Sequence, residues 1–142
     1  MVHALRQARR VLKNGGYLLD LRPAIVHRRV GIEVDGSHKP VAVMDESFDG
    51  DYSANRAVKQ MIEAGLLILR RRIRFDCRRR MDRFTDFKTW LEETARFGKI
   101  RSAEPLLEKV KAALKLRKGK KRIVVHAPVD LRVLIASPTK ER

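Results

Sequence analysis

Apolar residues recur along this chain with two different periods, and the switches between them mark out its elements. Ala4, Leu5, Ala8, Val11 and Leu12 fall at helical spacing, with Arg6, Gln7, Arg9 and Arg10 on the other face, which predicts an amphipathic helix over residues 2–13. Asn14-Gly15-Gly16 stops it, since glycine takes the left-handed conformation of a helix end at little cost. Tyr17-Leu18-Leu19-Asp20-Leu21 then reads as a short strand closed by Pro23. Its near-continuous apolar run predicts burial on both faces, as in a parallel sheet. Val30–Asp35 and Pro40–Asp45 are two short β-rich runs around Gly36-Ser37-His38-Lys39, the pattern of a hairpin with a four-residue loop.

An acidic loop leads into a helix over 54–64, with Ala54, Ala57, Val58, Met61 and Ile62 on one face, Ser53 or Asp51 as cap and Gly65 as stop. Residues 66–78 alternate as a long strand, Leu67, Leu69, Ile73, Phe75 and Cys77 against Ile68, Arg70, Arg72, Arg74, Asp76 and Arg78. Arg71 interrupts the apolar side. A wet, basic face implies an antiparallel strand near a sheet edge. Two helices follow, 85–97 capped by Thr85 and 104–117 capped by Ser102, stopped by Gly98 and Gly119. The second carries Pro105 in its first turn and a stripe of Leu106, Leu107, Val110, Ala113 and Leu114. The last strand, 123–136, lines up Ile123, Val125, Ala127, Val129, Leu131, Val133 and Ile135 on one face. Pro128 requires a bulge or an edge there, because it has no N–H for a ladder. Residues 138–142 read as a frayed tail.

Charge changes this picture. The net charge is +16, and it is lopsided: residues 1–69 hold 10 Lys/Arg against 8 Asp/Glu, residues 70–142 hold 23 against 9. A basic second half points to an anionic partner such as nucleic acid. Two clusters could hold phosphates: Arg70, Arg71, Arg72, Arg74, Arg78, Arg79, Arg80 and Arg83, and Lys115, Arg117, Lys118, Lys120, Lys121 and Arg122. Little beyond Phe75 interleaves them, so no base-stacking platform is evident. Cys77 stands alone, which excludes a disulfide framework and a cysteine zinc site. The four histidines, His3, His27, His38 and His126, lack metal-ligand spacing, and no calcium loop, nucleophile elbow or phosphate-binding loop is present. No uncharged apolar run is long enough to span a membrane, and the first residues hold no apolar signal core, so a cytoplasmic protein is expected.

The stretch Ala4-Leu5-Arg6-Gln7-Ala8-Arg9-Arg10-Val11-Leu12-Lys13-Asn14-Gly15-Gly16-Tyr17-Leu18-Leu19-Asp20 resembles the junction of class I S-adenosylmethionine-dependent methyltransferases, which often read Arg-Val-Leu-Lys-Pro-Gly-Gly before strand five. Asn14 stands where the family usually has proline. The resemblance is sharp over residues 4–20 and extends through the rest as an order of elements. It implies the C-terminal half of a Rossmann-like α/β sheet: one parallel-type strand, an antiparallel strand pair, a β-hairpin insertion and about four helices. The corresponding segments of one partial domain are 1–22 (helix and core strand), 30–46 (hairpin), 53–84 (helix and basic strand), 85–118 (helical insertion) and 120–137 (terminal strand).

The family's cofactor, S-adenosylmethionine, lies at the ends of the first strands and needs a glycine-rich loop after strand one. None of the eight glycines here forms a Gly-x-Gly after a strand, so no binding of the cofactor by this chain alone is expected. The resemblance places the family's first four strands before Met1. It therefore implies a missing N-terminal half or a homodimer through an open sheet edge, with no catalysis by the isolated chain. Positions facing the substrate would be Arg22, Pro23 and His27, then Tyr52 and Arg56. The competing reading is a small basic nucleic-acid-binding α/β module; a purely structural interaction domain is a third.

Overall fold

The computed structural model describes residues 1–138; the expected frayed tail lies outside the described residues from Thr139 on. Four helices and five strands follow the order α1 (Val2–Val11), β1 (Tyr17–Pro23), β2 (Arg29–Val34), β3 (Ser37–Val43), α2 (Asp49–Glu63), β4 (Leu67–Met81), α3 (Phe84–Arg96), α4 (Ala103–Lys115) and β5 (Lys121–Ala136). The strands form an antiparallel sheet in the order β1-β5-β2-β3, with β4 also paired to β5. The chain divides into two compact units. Among the described residues the first comprises Met1–Ile25, Asp49–Phe75 and 129–138; the second comprises Val26–Phe48 and Asp76–Pro128.

In the first unit β1 runs antiparallel to β5, with Tyr17 opposite Ile135 and Pro23 opposite Val129. This differs from the parallel-type strand expected from the apolar run Tyr17–Leu21. Directly opposed residues of an antiparallel pair share a face. One face carries Leu18 with Leu134, and there Val58 and Met61 of α2, Leu67 of β4 and Val2 and Leu5 of α1 close a small core. The other face carries Tyr17, Leu19 and Leu21 opposite Ile135, Val133 and Leu131, and it is open. Tyr17, Leu19 and Leu21 are 65%, 64% and 59% exposed. β1 is therefore not buried on both faces.

The second unit folds around β2. Val30 of β2 and Ile123 and Val125 of β5 face Phe87 and Leu91 of α3 and Leu106, Leu107 and Val110 of α4. The hairpin turn is tighter than predicted. Asp35 and Gly36 alone join β2 to β3, both with positive φ (47° and 82°), which is the two-residue Asp-Gly turn that matches strand twist. The helix predicted at 54–64 begins earlier, at Asp49, so Ser53 lies within its first turns instead of capping it. Asp49 and Asp51 favour its N-terminal dipole. Thr85 likewise falls inside α3, and Ser102 takes the cap position of α4 without a side-chain cap bond. The β2 ladder on β5 ends at His126 and the β1 ladder starts at Val129. Pro128 thus sits where that edge changes partners, and its missing N–H costs no bond to β1 or β2.

Candidate functional site

The Gly-Gly junction is stitched to the end of the chain. Gly15 N donates to Ala136 O at 2.9 Å and Ala136 N donates to Gly16 O at 2.8 Å. Arg9, on the polar face of α1, donates to Leu66 O (3.2 Å), Leu12 O (3.4 Å), Asn14 Oδ1 (3.2 Å) and Ser137 O. One guanidinium therefore ties the end of α1 to the start of β4 and the end of β5. Its planar fork of donors suits that role.

In the first unit two carboxylates of β1 and β5, Asp20 and Asp130, each meet two arginines. Asp20 accepts from Arg22 (2.6 Å) and lies 3.6 Å from Arg132, which donates to Asn55 of α2 at 2.8 Å. Burial lowers the pKa of Arg132, with Arg22 acting the same way. Asp130 is buried and accepts from Arg72 (2.5 Å) and Arg74 (2.7 and 3.1 Å). The Arg74 hydrogen bond, opposed by burial and helped by Arg72, holds its carboxyl down to about 2.

The second unit carries two further polar clusters. Buried Glu46 accepts from Arg28 through its backbone N (2.7 Å) and Nε (2.7 Å), and the Arg28 guanidinium lies 5.3 Å from the Trp90 ring centroid. Arg79 stacks on the same indole at 5.9 Å. In the other cluster Asp76 Oδ2 lies 2.7 Å from His126 Nδ1, and the His126 ring meets His38 edge-on at 4.8 Å. Gly31 makes room for this meeting, since a Cβ there would fall 2.3 Å from His38 Cε1. Burial, then His126 and Arg78, lowers the pKa of His38. Among the described residues no three His, Cys, Asp or Glu converge to hold a metal ion.

The candidate anion-binding residues divide by what already occupies them. Arg72 and Arg74 are spent on Asp130, and Arg80 reaches Glu33 at 3.4 Å. Arg122 pairs with Asp82 at 2.7 Å. Arg78 lies 3.7 Å from Asp76, and Arg79 sits on Trp90. Lys121 Nζ donates to Leu114 O and Arg117 O, where it caps the C-terminus of α4. Lys120 binds Asp35 through its backbone N, leaving its ammonium exposed like that of Lys118. Arg70 and Arg71 are exposed on β4, with no acceptor among the described residues.

The substrate-facing candidates find separate partners. Arg22 binds Asp20, and Pro23 ends β1 exposed. His27 accepts from Glu46 N at 3.3 Å and its ring lies 4.9 Å from Phe48. Tyr52 is exposed on α2, and Arg56 donates to Ser53 Oγ at 3.0 Å.

The residues present do not fit S-adenosylmethionine. Gly15, Gly65, Gly98 and Gly119, all at positive φ, follow α1, α2, α3 and α4, and Gly36 turns the hairpin. The connections that enter α2 from β3 (44–48) and α3 from β4 (82–83) hold no glycine, so no strand-to-helix turn offers bare backbone to a ligand. Sequence reasoning missed Arg9, Glu46, Asp130 and the open row Tyr17, Leu19 and Leu21. For the last, the signal was present: alternate residues of that strand face opposite ways. No helix among the described residues is long and apolar enough to cross a membrane. No family model, curated protein or solved structure matches the chain.

Proposed function

We propose that this chain is the C-terminal part of a class I S-adenosylmethionine-dependent methyltransferase, a Rossmann-like half that is inactive until another polypeptide segment contributes the cofactor-binding half. The observation that carries the reading is the junction. An amphipathic helix stops at Gly15-Gly16, a strand follows, and the last strand returns antiparallel beside it while bonding the two glycines. Once the β2–β3 hairpin is set aside as an insertion, the element order after β1 also supports it: a helix, then an antiparallel pair with helices inserted between its members, here β4 and β5 flanking α3 and α4. The lack of a glycine-rich strand-to-helix turn and the open apolar row on β1 support this reading, in which the cofactor is held by the other half.

Calorimetric titration tests this. The chain purified from its native source with its companions should bind S-adenosylmethionine in the micromolar range, while the chain alone should release no heat. Micromolar binding by the chain alone, or none by any assembly containing it, defeats the proposal. A second reading, a basic nucleic-acid-binding module, is favoured by the unpaired guanidiniums of Arg70 and Arg71. It requires affinity for single-stranded oligonucleotides that falls steeply with salt in filter binding.

A further inference from the structure

The first unit is a layered structure with one layer uncovered. Strands β1 and β5 carry α1 and α2 on one face. On the other, Tyr17, Leu19 and Leu21 stand opposite Ile135, Val133 and Leu131, three apolar cross-strand pairs in succession. Ile68 and Phe75 of β4, which pairs with β5, are also exposed apolar residues of this unit. A row of apolar residues left uncovered in this way is the kind of surface that marks an interaction site. A sheet buries such a face under helices or under a second sheet.

From this we infer that the open β1–β5 face is a docking surface for an amphipathic helix of a partner polypeptide, apolar along one side and acidic along its flanks. Charge decides between the occupants. A second copy would bring another +16 against this one. Arg70 and Arg71 lie on β4 just before Arg72 and Arg74, whose bonds to Asp130 set β4 beside this part of β5. Both guanidiniums are exposed and without an acceptor among the described residues, so carboxylates flanking an incoming helix find partners there. The face already covered shows that these strands accept helices. This inference rests on the reading that another polypeptide completes the molecule, but its test involves no S-adenosylmethionine.

The probe is a labelled synthetic helix with a Leu/Ala face and Glu flanks, titrated by fluorescence anisotropy, beside an isomer with Lys flanks. The Glu peptide should bind at least tenfold more tightly than the Lys peptide. Leu19→Glu and Val133→Glu should each weaken it at least tenfold, and the double substitution Arg70→Gln/Arg71→Gln should remove the preference for Glu flanks. Both Glu substitutions lie on the open face, so circular dichroism should be unchanged. Equal binding of the two peptides, or none, overturns the inference. So does a dimer seen by light scattering at tens of micromolar that Leu19→Glu converts to monomer, since the occupant is then a second copy.

Discussion

Asp130 shows how much one residue does in a chain rich in arginine. It is a buried carboxylate on β5, and two guanidiniums of β4 converge on it. Its folded pKa, about 2, lies below the ordinary carboxylate value near 4. The pairing therefore stabilises the fold at neutral pH, and this contribution is lost as pH falls from about 4 towards 2. Asp130→Asn should flatten the acid limb of the stability curve over that window. It should cost about 1–2 kcal/mol at pH 7, the low end for charged hydrogen bonds because Arg72 and Arg74 are half exposed. Urea unfolding at pH 7 and pH 3 measures both effects, and an unchanged acid limb would remove Asp130 from this role. The sequence showed Arg72, Arg74 and Asp130 but not their meeting, because only the register of β4 on β5 brings them together.

At the scale of elements the chain was largely legible. Each helix and strand falls where periodicity and glycine stops predict it, within a few residues at most ends. The exceptions have physical causes. The β-rich runs place the hairpin loop at 36–39, whereas Asp35-Gly36 supplies the two positive-φ residues of a tight turn. Gly36→Ala should destabilise the protein by about 1–2 kcal/mol, since φ of 82° forces a side chain into a strained region. Thermal unfolding checks this, and a neutral result would mean that the turn relaxes. The sequence pattern predicts a doubly buried β1 because a near-continuous apolar run looks the same whether both faces are covered or one is open. Only exposure at Tyr17, Leu19 and Leu21 separates the two cases. The candidate site was the least legible feature. The resemblance alone points to Arg22, Pro23, His27, Tyr52 and Arg56, and each has its own local partners or exposure.

For the whole molecule the dominant quantity is charge. With +16 over 142 residues, like charges oppose compaction, and salt screens the more distant pairs. Stability should therefore rise between 20 mM and 200 mM sodium chloride, the reverse of what surface ion pairs alone would give. A calorimetric midpoint that falls over this range would show that pairs such as Arg122–Asp82 outweigh the general repulsion. The same charge separates the two functional readings: added salt removes only the preference for acidic flanks from docking on the apolar face, whereas phosphate binding weakens as a whole.

The bonds between Gly15-Gly16 and Ala136 also order events in time. On the order of a hundred residues separate the two ends of that contact, so β1 leaves the ribosome long before the strand that completes it. At roughly 5–20 residues per second of synthesis, Tyr17, Leu19 and Leu21 wait for several seconds without β5. During that interval the nascent chain offers a sticky, unmated ribbon to its surroundings, and chaperones that shelter short greasy segments are its natural first company.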